Sequence, residues 1–170
     1  LEVETHVVTG ASTFMDRLVA AVRGAGVTVD ALVLEPLASG QAVLTPRERE
    51  EGVVLVDIGG GTTDLAAFRR GRICYTSVIA IGGYQFTNDL AVSFDIPHRE
   101  AEEVKLRYGS AAQDARTAAE EVEINPRGMD ETLLINRREI GQLRNDRGME
   151  MLRRLMKKIN EPHVKELNIT

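Results

Sequence analysis

Tryptophan is absent from this 170-residue chain, aromatic residues make up only 4% of it, and Cys74 is the single cysteine. One thiol closes no intrachain disulfide, which excludes a disulfide scaffold and suits a reducing cytoplasm. No His with Asn or Asp can be picked out as a catalytic partner for Cys74, which leaves a thiol enzyme without support. His6, His98 and His163 are far apart, with no Cys or acid at ligand spacing, so a metal site built on histidines is not expected. No apolar run approaches the roughly 20 residues that span a bilayer, and no signal peptide opens the chain. Neither common glycine-rich fingerprint is present: Gly-x-Gly-x-x-Gly is missing, and no Lys follows the glycines. Twenty-one basic against 26 acidic residues give a net charge of −5, which argues against nucleic acid as a partner.

What is present centres on Val53-Val54-Leu55-Val56-Asp57-Ile58-Gly59-Gly60-Gly61-Thr62-Thr63-Asp64-Leu65. The apolar, β-branched opening reads as a buried strand. Three glycines after it suit a tight turn, because glycine admits positive φ and close backbone approach. Successive N–H groups in such a turn form an anion-binding nest, and Thr62 and Thr63 add hydroxyls. Asp57 and Asp64 then supply the one or two carboxylates that hold a hydrated magnesium beside phosphates. Leu65-Ala66-Ala67-Phe68 follows as a strand, so a plain glycine-rich hairpin fits the same text.

Along the chain, His6 to Thr9 reads as a strand. Ser12 is expected as the N-cap of a helix carrying Phe14, Leu18, Val19 and Val22, stopped by Gly24 and Gly26. Val27 to Leu34 returns as a strand, and a helix follows from about Pro36 to Leu44, ended by Thr45-Pro46 and the charges after it. This alternation is the α/β signature. The hairpin 53–58 and 64–69 comes next, then a turn at Arg69–Arg72, a strand to Ile81, and helices at about 84–94 and 98–108 closed by Gly109. Val122–Ile124 and Leu133–Ile135 read as strands around a turn at Asn125-Pro126-Arg127-Gly128. A last helix runs from 138 to about 160, with Met149, Leu152, Leu155, Met156 and Ile159 on one stripe. Residues 137–158 hold eight Arg or Lys against three acids, while residues 1–136 are acidic. Such asymmetry marks either a partner surface or a solvated helix face.

Asp57 to Asp64 resembles the second phosphate loop of the actin, sugar-kinase and heat-shock-chaperone ATPase superfamily. Ile79-Ala80-Ile81-Gly82-Gly83, Phe86-Thr87-Asn88-Asp89-Leu90-Ala91 and Ala101 to Ala111 resemble the FtsA family, bacterial actin homologues that anchor the cell-division ring to the membrane. The resemblance spans roughly residues 1–140 and is specific over 53–111. From about Ile140 the text drifts from the family pattern, with Gly141, Asn145 and Gly148 inside a helix. The resemblance implies an α/β fold, an actin-like (ribonuclease-H-like) ATPase lobe with a small β-containing subdomain. Its expected divisions are residues 1–50 as the end of a first lobe with its interdomain helix, 51–110 as the phosphate-binding core of a second lobe, and 111–170 as the subdomain with a last helix. Family members are much longer, so a central fragment is expected. The family's first phosphate loop and its adenosine loop are not found here.

The resemblance also implies ATP and Mg2+ as ligands. Gly59, Gly60, Gly61, Thr62 and Thr63 would hold phosphates, and Gly82 and Gly83 would let the chain pass the nucleotide. Asp57 and Asp64 would serve the metal, and Glu102 with Lys105 the ribose and adenine. Glu35, in a Glu-Pro-x-Ala element 22 residues before Asp57, would orient the attacking water. Each has a plainer reading: Glu35 as a capping residue beside a first-turn proline, Glu102–Lys105 as an i,i+3 ion pair, and Gly82-Gly83 as an ordinary strand–helix turn. Turnover is expected to be weak at most. The implied role is recruitment of FtsZ filaments to the cytoplasmic face of the membrane at the division site. Self-association into filaments accompanies it, and the membrane is reached through a C-terminal helix outside this chain. Residues 111–140 and the basic helix form the expected FtsZ-facing surface. An MreB-like shape-determining filament and a chaperone-type ATPase remain the alternatives.

Overall fold

The computed structural model describes residues 5–109, 120–124, 132–167 and 169. The chain folds as two compact units. One holds Leu1–Asp57, Asp64–Ser77 and Pro162–Thr170, the other Ile58–Thr63 and Val78–Glu161.

The first unit is built on a sheet of order β1 (Val53–Ile58), β2 (Thr63–Arg69) and β3 (Arg72–Ile79), of which Ile58, Thr63, Val78 and Ile79 are assigned to the second unit. The central strand is the most buried: Leu65, Ala66, Ala67 and Phe68 are all inaccessible or nearly so. Arg70 and Gly71 join β2 to β3, both with positive φ (52° and 72°), the signature of a type I′ hairpin turn. Helix α1 (Ser12–Gly24) buries no residue and leaves Phe14 and Leu18 exposed. Its N-cap is Ala11, without a side-chain hydrogen bond, so Ser12 is the first helical residue and not the cap. Gly26, at φ 80°, ends it as expected.

Two expected strands do not form. Residues 6–9 and 27–34 pair with no strand among the described residues, and Val27, Leu32 and Val33 are exposed. An apolar run supplies one side of a ladder only; the other side has to come from elsewhere in the fold.

Helix α2 (Glu35–Val43) packs on β2 through Gly40: a methyl group there would lie 2.5 Å from Phe68 Cζ. Thr45 does not simply end α2. It starts α3 (Pro46–Glu51) through a capping box, with Glu48 N donating to Thr45 Oγ1 at 3.2 Å and Thr45 N to Glu48 Oε2 at 2.7 Å. The short helix α7 (Pro162–Lys165) completes this unit and buries Val164.

The second unit packs α4 (Gly83–Phe94), α5 (His98–Tyr108) and α6 (Arg137–Ile159) with the antiparallel ladder β4 (Glu121–Ile124) and β5 (Leu133–Asn136). Val122 pairs with Ile135 and Ile124 with Leu133. Val122, Ile124 and Ile135 join Leu90, Ile96, Ala101, Val104 and Ile140 in one core, while Glu121 and Glu123 face out. That alternation is the period of a half-buried strand. The expected turn at 125–128 lies outside the described residues. Gly109 closes α5, but at φ −76° and not in the left-handed form. It is glycine for want of space, because a methyl group would run into Lys105 O and the Arg144 guanidinium.

Helix α6 is rotated from the expected stripe. Ile140, Gly141, Met151 and Leu155 are buried, while Met149, Leu152 and Met156 form an exposed ridge. Asp89 on α4 fixes this rotation by accepting from Arg147 Nε and Nη2, both at 2.7 Å, a bidentate pair.

Gly40→Ala is expected to destabilise the protein despite better helix propensity. Propensity favours Ala by up to ~1 kcal/mol, whereas overpacking against Phe68 costs about 1–3 kcal/mol. A lower urea midpoint is the expected result; a raised one would show that the ring yields freely.

Candidate functional site

The loop between β1 and β2 closes on itself, with Gly59 N donating to Thr62 O at 2.9 Å. Gly59, Gly60 and Gly61 are not in the left-handed region; positive φ falls at Gly26, Gly52 and Gly71 instead. What these three glycines supply is bareness. Gly59 to Thr62 are exposed, and a methyl group on Gly60 or Gly61 would meet nothing within 4 Å. The amides of Gly60 and Gly61 donate to no backbone carbonyl among the described residues. Exposed backbone donors on an uncluttered loop fit an anion such as a phosphate.

A second glycine pair supports this loop from below. Gly83 N donates to Gly59 O at 3.0 Å and Tyr84 N to Gly60 O at 2.6 Å. At Gly82 a methyl group would lie 2.6 Å from Gly59 O and 2.8 Å from Gly60 C and O. These are backbone atoms that cannot swing aside, so the approach requires glycine. Thr63, fully buried where the loop enters β2, donates to Ile81 O at 2.7 Å and contacts Met151 Sδ of α6.

Behind the glycines sits a polar cluster. Lys105 Nζ donates to Gly83 O (3.2 Å) and Thr87 Oγ1 (2.8 Å), and pairs with Glu102 Oε2 at 2.6 Å. Those three contacts use all three ammonium hydrogens. Glu102 Oε2 also accepts from the Thr87 hydroxyl. The expected Glu102–Lys105 pair is therefore formed, and it is more than an intrahelical ion pair because it ties α5 to the first turn of α4. Thr87, fully buried, is the member that sequence reasoning passed over as a site residue. Its spacing of four from Gly83 was the available signal.

In the first unit, Ser39 Oγ donates to Asp57 Oδ2 at 2.6 Å. Glu35 is exposed in the first turn of α2, four residues before Ser39 and so on the same helical face. Its carboxylate makes no cap, since the N-cap is Leu34 with no side-chain bond. Asp64 is half-buried as the second residue of β2. No group of three or more His, Cys, Asp and Glu at metal-binding spacing occurs among the described residues.

Among known families, the sequence profile described as Cell division protein FtsA matches residues 54–167. The chain belongs to the FtsA family. The match runs well past Ile140, so the expected drift there is corrected: Gly141 is buried and Gly148 crowds nothing within one continuous helix. The FtsA of Neisseria meningitidis serogroup B is 44% identical over 124 residues, covering 73% of this chain and 30% of that protein. The FtsA of Bacillus subtilis is 35% identical over 152 residues, covering 89% and 34%. This FtsA-family chain thus spans about a third of the length of its curated relatives. Among solved structures, MreB5 of Spiroplasma citri bound to ADP superposes with a TM-score of 0.70 at 20% identity, covering 93% of this chain and 51% of that one. The fold is that of the actin-like ATPases.

The Lys105 hydrogen bond first, and the Thr87 hydroxyl second, hold the Glu102 carboxyl below its ordinary 4.5. A depressed acid stabilises fully above its ordinary value, and the gain fades as pH falls through the lowered one. Protection factors of the α4 amides, which correct exchange for its intrinsic pH dependence, are therefore expected to stay flat from pH 7 to about pH 5 and to fall only at more acidic pH. Glu102→Gln should abolish that acid step. Gly82→Ala is expected to raise exchange at Gly83 and Tyr84 at neutral pH; unchanged protection would refute the steric argument.

Proposed function

We propose that this chain is the nucleotide-holding part of an ATP-binding actin homologue of bacterial cell division, one that recruits and anchors FtsZ filaments at the cytoplasmic membrane. The observation that carries the reading is the bare, exposed loop Gly59–Thr62 seated on the Gly82-Gly83 backbone, in a chain of this family. Gly60, Gly61 and Thr62 cradle the phosphates through backbone and hydroxyl donors, while Gly59, whose amide closes the loop on Thr62 O, and the buried Thr63, bonded to Ile81 O, shape that loop. Gly82 and Gly83 keep side chains away from them.

Lys105, with its hydrogens already committed, positions Glu102, whose Oε1 is left to accept from a ribose hydroxyl. Asp57, oriented by Ser39, and Asp64 supply the carboxylate charge for Mg2+, which neutralises phosphate when bound. Glu35 orients the attacking water, and turnover is weak. The neighbour MreB5 was solved with ADP and in a second structure with AMPPNP, which supports ATP as the ligand here.

The partner-facing surface is the exposed ridge Met149, Leu152 and Met156 of α6, flanked by Arg153, Arg154 and Lys157. The basic border of this ridge suits the acidic tail of FtsZ. The protein self-associates into filaments and sits peripherally on the inner membrane face. A shape-determining filament is the second reading, favoured by the superposition on MreB5.

Two measurements on the full-length protein test this. Gly61→Val fills space that is empty, so the fold should persist while ATP affinity falls by at least about tenfold, roughly 1.4 kcal/mol. Unchanged affinity in calorimetry would remove the loop from the site. Arg153→Glu with Arg154→Glu should weaken binding of an FtsZ C-terminal peptide. Binding that ignores the reversal would move the surface to residues 111–140, and no binding by the unaltered protein would favour the shape-determining reading.

A further inference from the structure

Ser39 lies in the middle of α2, half-buried, with its Oγ 2.6 Å from Asp57 Oδ2. A serine hydroxyl stands only one carbon from the backbone, so this bond requires the helix to come close to the strand. Gly40, the next residue, allows that approach, because a methyl group there would lie 2.5 Å from the Phe68 ring of β2. Asp57 is the next-to-last residue of β1 and the point at which the chain leaves the first unit.

Anchoring α2 does not call for the hydroxyl, since the buried Pro36 and Gly40 already seat the helix. Inside a helix serine is also a poorer helix former than alanine. What the hydroxyl changes is the carboxylate. The terminal torsion of an aspartate is broad and roughly two-fold, so a carboxylate held by nothing turns. One hydrogen bond to Oδ2 opposes that rotation and gives Oδ1 a settled direction. The donor is neutral, and Asp57 pairs with no Lys or Arg among the described residues, so its charge is still open to a cation.

We propose that Ser39 is a positioning residue for the metal: its hydroxyl aims the Asp57 carboxylate at the Mg2+ that accompanies the nucleotide. The proposal rests on the nucleotide reading above, in which Asp57 serves Mg2+. Carboxylates that hold an ion are themselves hydrogen-bonded, and losing that outer partner weakens the metal by about 10–100-fold. Mg2+ is exacting in this respect, because it demands near-ideal octahedral geometry and keeps several waters. A carboxylate that serves it must hold its direction. Glu35 stands one turn before Ser39 on the same face of α2, so the same bond ties the helix bearing Glu35 to the metal's carboxylate.

The test is ATP titration of the full-length protein by calorimetry, with Mg2+ and with EDTA in its place. Mg2+ should tighten ATP binding to the unaltered protein. Ser39→Ala should lower the affinity measured with Mg2+ by about tenfold and leave the affinity measured in EDTA unchanged. Ser39→Thr, which keeps a hydroxyl, should restore the Mg2+ step. In an Asp57→Asn background Ser39→Ala should cost nothing further, because the group it aims is gone. Equal losses with and without Mg2+ would overturn the proposal, since the serine would then act on the fold and not on the metal. So would a Mg2+ step unchanged in Ser39→Ala, or losses that add in the double variant. If Mg2+ makes no difference to the unaltered protein, the metal role of Asp57 falls and this inference with it. If ATP does not bind at all, the nucleotide reading falls first.

Discussion

The second unit depends on two backbone hydrogen bonds with no side chain between them: Gly83 N to Gly59 O and Tyr84 N to Gly60 O. They require two stretches of main chain to lie closer than any Cβ permits, and Gly82 is where that limit is sharpest. Once the contact is made, the loop is held with Gly60 and Gly61 exposed, and the first turn of α4 is fixed against it. The Thr87–Glu102–Lys105 cluster then brings α5 to the same place. Substituents are excluded on one side of the loop by the protein, and on the other the loop faces open space.

From this contact the packing runs in two directions. Along α4, Asp89 holds Arg147 and so sets which face of α6 turns inward. Through Thr63, the end of the loop touches Met151 on that same inward face. The ridge Met149–Leu152–Met156 is exposed on the face of α6 away from Met151, which meets Thr63, and from the buried Leu155. The positions of the loop and of the ridge are therefore set by one continuous set of neighbours.

The elements that sequence reasoning placed well are those decided locally. The β1–β2 hairpin follows from an apolar run interrupted by glycines, and α5 is bounded by Pro97 and Gly109 at both ends. The β4–β5 ladder follows from strict alternation. The errors share a cause: partners distant in sequence. Residues 27–34 have the composition of a strand but pair with no strand among the described residues. On α6, Met149, Leu152 and Met156 compete with Met151 and Leu155 as equally regular stripes, and contacts with Thr63 and the core choose between them. Of the residues singled out by type, Gly59–Thr63, Gly82-Gly83, Glu102 and Lys105 lie together in the second unit, whereas Glu35, Asp57 and Asp64 belong to the first. The engagement of Thr87 was not legible, because a buried threonine inside a helix looks like any other. Helix α3 was legible in Thr45-Pro46-Arg47-Glu48 but was overshadowed by its charges.

The division of the chain between the two units has a consequence for how such a protein can change by recombination. The path crosses from one unit to the other after Asp57, Thr63, Ser77 and Glu161. No single crossover in the gene can therefore exchange one unit intact. The stretch 78–161 behaves as a cassette whose two ends open into the same host, replaceable only as a nested insertion. Even then the donor must match the short Ile58–Thr63 segment, which stays behind in the recipient while belonging physically to the cassette. Variation imported from outside is thus filtered at the glycine loop first, and helices with a new binding face are admitted only if their opening residues still fit against it.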